Sequence, residues 1–364
     1  MFKKRIVNKG VTQLNQQDER EYISRLDPIC SIERMCYEEG QAKGVSTFIA
    51  NNAAGLSFSV LIDRGFDLGN VRYKGSIVNY ISATGVTHPA YYNSEGLSWL
   101  RSFGGGLLTT CGYLQAGEPC EDDGDFLGLH GRISNLPAEQ VCHSIEQEKD
   151  RIYGKMSGLI RESCHQRENL TRSRLISFEG RSNTIQIHDE IRNHSSSSSP
   201  FMLVYHMNFG YPFLNQRSKL FLPRGGCDGW DDYSESMKSG LNQIPKPTPD
   251  ARDVLLIHDL DADANDNTSL LLVNEQYGVK ISYNKRELPY LVQWQLSRSN
   301  DYVMALEPSN NHLRGRRWER ENGTLRMIEP NEVKAVDLQI SFLEPEDFAP
   351  DIRAMGNFIN RGKT

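Results

Sequence analysis

The sequence predicts a large all-β protein in which antiparallel sheets pack face to face, with few and short helices. Segments rich in Val, Ile, Tyr, Phe and Thr recur at short intervals and are separated by Gly, Asn, Asp or Pro, as in strands joined by tight turns. Most of these segments alternate apolar and polar residues, which is typical of strands with one covered face. Because an open sheet rarely exceeds about ten strands, a chain of 364 residues with so many strands favours packed sheets.

Eight segments carry the clearest strand pattern. In chain order they are STFIAN (46–51), LSFSVLI (56–62), NTIQIHDEIRN (183–193), SLLLVN (269–274), GVKISYN (278–284), YLVQWQL (290–296), DYVMALE (301–307) and EVKAVDLQISF (332–342). Residues 17–25 and 345–359 predict two helices, the second with Glu346 and Asp347 near its N-terminus, where negative charge is favoured. The serine run at 195–199 lies between two strand-like segments and predicts a hairpin loop.

We expect a single domain over residues 1–364. In this interpretation, residues 1 to about 45 form an extension that packs on the domain, and a short C-terminal helix spans about 345–359. No change of composition indicates a domain boundary, and no repeat of fixed period is visible.

The charge distribution narrows the range of partners. The 41 Lys and Arg residues are scattered among 47 Asp and Glu, for a net charge of -6, which argues against nucleic acid and anionic membranes as partners. No apolar run approaches the ~20 residues of a transmembrane helix, and the N-terminus lacks the apolar stretch of a secretory signal. We therefore expect a cytoplasmic protein with a small-molecule partner, and the sequence is compatible with a homodimer.

Two histidines occur in settings that favour chemistry. His130 lies in GLHGR, where glycines on both sides allow a substrate to approach the imidazole; the alternative is an ordinary loop histidine. His206 and Asn208 interrupt the apolar strand FMLVYHMNFG and project from the same face, because side chains alternate along a strand. Buried polar groups need hydrogen-bond partners, so this pair indicates either a ligand site or a satisfied core histidine.

A glutamate completes the candidate set. Glu307 ends the run DYVMALE just before Pro308, and we expect its carboxylate at the end of a strand. Burial among apolar neighbours would raise its pKa and make it a usable general base near neutral pH. A solvated surface glutamate is the alternative that the residues alone leave open.

The motifs GLHGR, YHMNFGYPF and ALEPSN, in this order, resemble the galactose mutarotase-like family, the aldose 1-epimerases. The similarity is closer still to a less-studied branch that is named only provisionally as aldose 1-epimerases, which shares IDRGFDLG (62–69), FGGGLLTTCG (103–112) and RENGTLRMIEPNE (320–332). The resemblance extends from Leu56 to Phe342. It implies a large antiparallel β-supersandwich, a sugar as the small-molecule substrate, and catalysis without a metal or an organic cofactor.

The resemblance also implies roles for the three residues. Glu307 matches the general base that takes the proton from the anomeric hydroxyl, and His206 matches the general acid that protonates the ring oxygen. His130 matches the second histidine, which binds the sugar near that oxygen. Opening to the aldehyde, rotation about the C1–C2 bond and reclosure then exchange the anomers.

Further polar and aromatic side chains are candidates for sugar binding. Candidate hydroxyl ligands are Arg64, Arg101, Asn208 and Gln293, and Trp294 or Trp99 is suited to stack on a pyranose face. Each of them singly is also compatible with a salt bridge, a surface position or a core position.

Two departures from the family pattern predict a sugar other than galactose, and we expect the substrate to be an unphosphorylated or acidic monosaccharide. The early Gly-rich segment continues as TTCGYLQ, where an Asn-Arg pair is expected. The aspartate that binds sugar hydroxyls in the second half has no evident equivalent among Asp228, Asp231, Asp232, Asp253 and Asp259.

We therefore expect an aldose 1-epimerase-like isomerase that acts on a free monosaccharide. Two alternatives remain, namely a carbohydrate-binding or regulatory protein without turnover, and a sugar lyase or isomerase that uses the same cleft. The presence of both histidines and the glutamate favours the enzyme, because binding alone requires no acid and base at the anomeric centre.

Overall fold

The computed structural model describes residues 21–240 and 242–355. The strands in these residues are β1 (Cys30–Cys36), β2 (Ser46–Asn52), β3 (Leu56–Leu61), β4 (Asp67–Tyr73), β5 (Ser76–Ile77), β6 (Leu108–Tyr113), β7 (Cys120–Asp122), β8 (Asp125–Leu127), β9 (Ala138–Glu148), β10 (Arg151–Ser163), β11 (Asn169–Glu179), β12 (Thr184–Asn193), β13 (Ser199–Pro200), β14 (Met202–Gly210), β15 (Lys219–Phe221), β16 (Gly225–Gly229), β17 (Val254–Leu260), β18 (Asn267–Val273), β19 (Gly278–Asn284), β20 (Tyr290–Arg298), β21 (Asp301–Ser309), β22 (Met327–Ile328) and β23 (Val333–Leu343).

The helices of the described residues are short. The α-helices are α1 (Asp232–Met237), α2 (Arg316–Glu321) and α3 (Pro345–Met355), and 3-10 helices occupy Gly40–Ala42, Pro89–Tyr91, Ser98–Ser102, Ile133–Asn135 and Lys238–Gly240. Among these helices, none is long and apolar enough to cross a membrane.

The strands form three large sheets. A five-stranded sheet has the order β1-β2-β3-β4-β5, a six-stranded sheet the order β16-β17-β20-β21-β14-β6, and an eight-stranded sheet the order β15-β18-β19-β23-β12-β11-β10-β9. Two small ribbons pair β13 with β22 and β7 with β8. Adjacent strands are antiparallel, for example β11 with β12 and β14 with β21. The predicted antiparallel sandwich with few helices is confirmed.

All eight segments with the clearest strand pattern are strands, with ends that move by at most two residues. The prediction of a helix over 17–25 is wrong for the described part of this segment, because residues 21–25 form turns and bends that lead into β1. Ile23 and Leu26 pack on the core from this turn, and residues 17–20 lie outside the described part. The predicted C-terminal helix is α3, which begins at Pro345 as expected; residues 356–359 lie outside the described part.

The serine run at 195–199 is not a hairpin loop. The strand before it, β12, pairs with β11 and β23 in the eight-stranded sheet, whereas β14 belongs to the six-stranded sheet. The run therefore carries the chain from one sheet to another, and at its end Ser199 and Pro200 pair with β22. Both faces of β14 are buried, and a strand of that kind belongs inside a sheet, away from its edge.

The main core lies between the eight-stranded sheet and the other two sheets. It joins inward-facing residues of β12 and β23 to those of β3 and to the odd-numbered residues of β14, such as Tyr205 and Met207. A second apolar cluster covers the opposite face of the six-stranded sheet, where Val204, Val292 and Val303 meet Trp99 and other residues of the loops. The six-stranded sheet is thus covered on both faces.

A buried ion cluster joins the three large sheets. Arg174 on β11 donates to both carboxylate oxygens of Asp189 on β12, at 2.7 and 2.6 Å, and also to Asp67 on β4. Asp67 in turn accepts from the backbone N–H and the hydroxyl of Thr110 on β6, and Asp189 accepts from the hydroxyl of Tyr205 on β14. Burial alone would raise the pKa of Asp189, but the neighbouring arginines hold it below its usual range. The charges of Arg174, Asp67 and Asp189 are paired and hydrogen-bonded, as buried charges must be.

Candidate active site

The central pair of the site faces across two neighbouring strands. The register of β14 and β21 pairs Val204 with Ser309 and Met207 with Leu306, which puts His206 opposite Glu307. The distance between His206 Nε2 and Glu307 Oε1 is 3.4 Å. Both side chains project from the face that carries the second apolar cluster, because Val204 and Val303 on the same faces of their strands belong to it.

The predicted position of Glu307 at a strand end needs correction. Strand β21 continues through Pro308 to Ser309, and Pro308 lies opposite Leu291 of β20. Proline has no N–H to donate, and the ladder with β14 is interrupted between Ser309 and Leu306, beside this residue. Glu307 is therefore held inside a sheet on a rigid strand.

Both members of the pair are buried and carry polar atoms that lack hydrogen-bond partners. Glu307 is 1% exposed and neither of its carboxylate oxygens has a partner, and His206 is 5% exposed with an unpartnered Nδ1. Burial raises the pKa of Glu307 well above its usual value, and burial, followed by the nearby His130, lowers the pKa of His206. Both shifts favour the neutral forms, the protonated carboxyl of Glu307 and the neutral imidazole of His206.

His130 lies beside this pair in an unusual backbone conformation. Its φ is 58°, in the left-handed region, and its ring meets that of His206 edge-on with centroids 5.7 Å apart. The Nδ1 atom accepts from the backbone N–H of Gly117 at 3.3 Å, and burial lowers the pKa of His130 to about 4. The ring is therefore neutral at pH 7 and carries its proton on Nε2, as a donor.

The glycines around His130 serve the chain itself. A Cβ at Gly128 would collide with the carbonyl oxygen of Ser94, and a Cβ at Gly131 would collide with the carbonyl oxygens of Gln115 and Gly112. The sequence interpretation attributed these glycines to substrate approach, whereas the structure uses them for close packing of backbone.

Aromatic and aliphatic side chains surround the three residues. The pocket encloses about 240 Å³ and is lined by Leu97, Trp99, Leu100, Phe103, Gly117, Glu118, Leu129, His130, His206, Trp230, Asp253, Leu255, Trp294, Glu307 and Leu313. The Trp294 indole N–H donates to Asp253 at 3.0 Å, and the ring of Trp294 contacts that of His206 with centroids 5.7 Å apart. Glu118 and Asp253 are exposed, whereas Glu307 is buried. The size and lining suit one small ligand with a polar end and an apolar end.

Of the predicted binding residues, Trp294 and Trp99 line this pocket, and Arg64 and Arg101 do not. Arg64 is buried and donates to three backbone carbonyl oxygens, those of Thr87, Ser102 and Ser134. It ties three chain segments together, and its donors are used within the protein. Arg101 is exposed on the 3-10 helix Ser98–Ser102.

Asn208 and Gln293 also lie outside the pocket lining. Asn208 shares the face of His206, as predicted, but its amide donates to the carbonyl oxygens of Gly106 and His206. Gln293 pairs in register with Leu306 and shares its face, opposite to that of Glu307, and its Oε1 lies 3.1 Å from His258 Nε2. Because side chains alternate along β20, Trp294 faces the pocket and Gln293 faces the main core.

Among the lining residues with polar side-chain atoms, three were not among the predicted ligands. Asp253, Glu118 and Trp230 come from segments between strands, where no periodic pattern marks the side that a residue faces. Asp253 was one of five aspartates that the sequence left undistinguished, and the indole N–H of Trp230 is buried without a partner. The only available signal for Trp230 was its residue type, since indole rings are common partners of sugar faces.

A second buried carboxyl lies behind the His130 loop. Glu162 on β10 is 4% exposed and lines a cavity of about 110 Å³ together with Gly128 and Gly131. One of its oxygens, Oε2, has no partner. Burial, reinforced by Glu168 and opposed by Arg132, raises the pKa of Glu162 to about 7.

We expect Glu162→Gln to change the pH dependence of stability. Because the folded state holds the Glu162 proton more tightly than the unfolded chain, this group stabilises the fold fully below about pH 4.5, and the contribution is lost as pH rises to about 7. The variant has no proton to lose, so its stability relative to wild type should increase by about 2–3 kcal/mol between pH 5 and pH 8. Urea unfolding at both pH values measures this.

The matched control is Glu33→Gln, which removes an exposed carboxylate on β1. Its stability relative to wild type should be the same at both pH values within about 0.5 kcal/mol. If the stability of Glu162→Gln relative to wild type were also the same at both pH values, this would contradict the expectation.

The comparisons with solved structures agree with this fold. The fold is similar to that of galactose mutarotase-like proteins. A structure of a "putative aldose 1-epimerase" from Klebsiella pneumoniae is 25% identical, with a TM-score of 0.86, over 92% of this chain and 89% of that one. Galactose 1-epimerase from Lactobacillus acidophilus is 14% identical, with a TM-score of 0.56, over 86% of this chain and 99% of that one.

The chain itself belongs to the family described as "Domain of unknown function (DUF4432)", whose model matches residues 42–342. A galactose mutarotase-like protein from Clostridium acetobutylicum shares the fold at 13% identity, with a TM-score of 0.59, over 86% of this chain and 98% of that one. No functionally curated protein matches the chain.

Proposed function

We propose that this protein is an aldose 1-epimerase-like isomerase that interconverts the anomers of a free monosaccharide. The observation that carries the proposal is the Glu307 and His206 pair, which lines an aromatic pocket and leaves both Glu307 oxygens and the His206 Nδ1 without hydrogen-bond partners. Unpartnered buried polar atoms are costly, and a ligand that supplies hydrogen bonds removes that cost. Perturbed titratable groups in a cleft are a common mark of catalytic sites.

The pair has the composition that anomer exchange requires. The reaction moves one proton from the anomeric hydroxyl to the ring oxygen, so a proton acceptor and a proton donor must be present together. When sugar oxygens provide the missing hydrogen bonds, the ionised pair is favoured, with Glu307 as carboxylate and His206 as imidazolium. Glu307 then takes the hydroxyl proton while His206 protonates the ring oxygen, and the C1–O5 bond breaks to give the aldehyde.

Reclosure completes the cycle. After rotation about the C1–C2 bond, the O5 hydroxyl adds to the other face of the aldehyde and returns its proton to His206, and the new anomeric oxygen takes the proton from Glu307. His130, as a neutral donor through Nε2, supports the ring oxygen while its charge changes. Trp99 and Trp294 provide flat surfaces for the sugar, and Asp253 and Glu118 are acceptors for its outer hydroxyls.

The proposal is tested by saturation-transfer NMR between the α and β anomers of a panel of free sugars, with and without the protein. We expect at least one sugar to exchange faster with the protein than in buffer. If none does, although a sugar raises the melting temperature, the protein is a carbohydrate-binding or regulatory protein. If a sugar is converted to a new product without faster anomer exchange, a lyase or another isomerase activity replaces the proposal.

A further inference from the structure

The charge of the pocket lining restricts what can enter. Three carboxyl groups line it, Glu118 and Asp253 at exposed positions and Glu307 at a buried one, and no lysine or arginine is found among its described lining residues. Arg314 lies outside the lining, over the Trp230 ring at 4.6 Å, and donates to the Trp230 carbonyl oxygen. An anionic substituent would therefore meet the carboxylates of Glu118 and Asp253, and no cation among the described lining residues offsets the repulsion.

The apolar part of the lining restricts the pattern of hydroxyl groups. Five leucines contribute to the wall, and two of them, Leu97 and Leu100, remain 58% and 49% exposed. The lining has few polar groups. Glu307, His206 and His130 are assigned to the anomeric end of the sugar. The groups that remain for its other hydroxyls are the exposed Glu118 and Asp253 and the indole N–H of Trp230. A sugar hydroxyl against leucine loses its water without gaining a partner, whereas a methyl group there gains apolar burial.

We propose that the substrate is an uncharged sugar with an apolar substituent in place of its exocyclic hydroxyl, that is, a 6-deoxyhexose, and not a sugar acid or a sugar phosphate. This inference rests on the proposed function, because it assigns the acid and base to the anomeric end of the ring. It excludes the acidic sugars, which the sequence analysis left as possible substrates. Anomer exchange needs a free hydroxyl at C1, so the apolar group must be carried elsewhere, and the exocyclic carbon is at the other end of the molecule.

The test uses matched sets of sugars that differ only at the exocyclic carbon. For the galacto, gluco and manno configurations, the parent hexose, the 6-deoxy sugar, the uronate and the 6-phosphate are compared by saturation-transfer NMR, and by the shift in melting temperature that each produces. In the preferred configuration, we expect kcat/KM of the 6-deoxy sugar to exceed that of the parent by about tenfold or more, since one group in an apolar pocket contributes about 10- to 200-fold. The uronate and the phosphate should not exceed the rate in buffer.

A charge variant provides the second readout. Glu118 is exposed, so Glu118→Lys should fold, and it supplies the cation that the lining lacks. With Glu118→Lys, exchange of the uronate should rise above the rate in buffer, whereas with Glu190→Gln, on the outer face of the eight-stranded sheet, it should stay at the rate in buffer.

The outcomes separate the two proposals. Fastest exchange with a uronate, a phosphate or a parent hexose would overturn the substrate class while the isomerase function stands. If no sugar exchanges faster than in buffer but the 6-deoxy sugar gives the largest melting shift, the substrate class holds for binding and the isomerase function fails. If no sugar is exchanged and the anionic sugars give the largest shift, or none gives any, both proposals fail.

Discussion

Replacement of Glu307 by Gln is expected to lower the rate of anomer exchange by about 10²- to 10⁴-fold, the usual contribution of a positioned general acid or base. Glutamine keeps the size of the side chain but can no longer take the proton from the anomeric hydroxyl. The fold should not suffer, because Glu307 is buried and its two oxygens have no partners. We therefore expect a melting temperature equal to or above that of wild type, with the rate measured by saturation-transfer NMR on the best sugar of the panel.

The matched control for this variant is Glu190→Gln, an exposed glutamate on β12 of the eight-stranded sheet. It should exchange anomers at the wild-type rate. A Glu307→Gln protein with more than a tenth of the wild-type rate would remove Glu307 from the proposed mechanism. A loss of rate together with a large fall in melting temperature would instead indicate a structural role.

Replacement of Arg174 by Met is expected to give the largest loss of stability. It leaves Asp67 and Asp189 buried without the arginine that donates to both, and removal of one partner of a buried pair costs about 3–5 kcal/mol. Arg174→Lys should lose less, because the charge remains although the two-pronged contact with Asp189 is lost. Urea unfolding at constant pH compares the variants.

The control for the arginine cluster is Arg161→Met on β10, which removes an exposed pair with Glu139 at 3.0 Å. Exposed pairs contribute about 0–1 kcal/mol, so this variant should stay close to wild type. If Arg174→Met were as stable as Arg161→Met, the buried ion cluster would not contribute to holding the sheets together. Failure of Arg174→Met to fold beside a stable Arg161→Met agrees with the expectation.

The features that were predictable from the sequence are those that depend on local pattern. Strand alternation identified the sheets, and it also put His206 and Asn208 on one face, because a two-residue period holds whatever the strand packs against. The extent of β21 was misjudged, since Pro308 is tolerated where the ladder with β14 is interrupted. The helix expected over 17–25 rested on charge placement without an apolar stripe, which is weak support for a helix.

The features that escaped prediction depend on contacts between distant segments. From the sequence, Arg64 was a candidate ligand for sugar hydroxyls. In the fold, its guanidinium donates to the carbonyl oxygens of Thr87, Ser102 and Ser134, which come from distant segments. The side chain of Gln293 faces the main core because of the register between β20 and β21, and this register cannot be derived from one strand alone. Glu118, Asp253 and Trp230 reach the pocket from connections, where position depends on the whole assembly.

The opposition of His206 and Glu307 depends on strand register, and register changes only in whole residues. A slip of one residue in β14 would turn His206 toward the main core and present Tyr205 or Met207 to the pocket. Tyr205 would at the same time lose its hydrogen bond to Asp189. Under the proposed function, the rate of anomer exchange also measures sheet assembly: during refolding, the recovered activity should equal the fraction of chains with the right register, and partly ordered chains should contribute nothing.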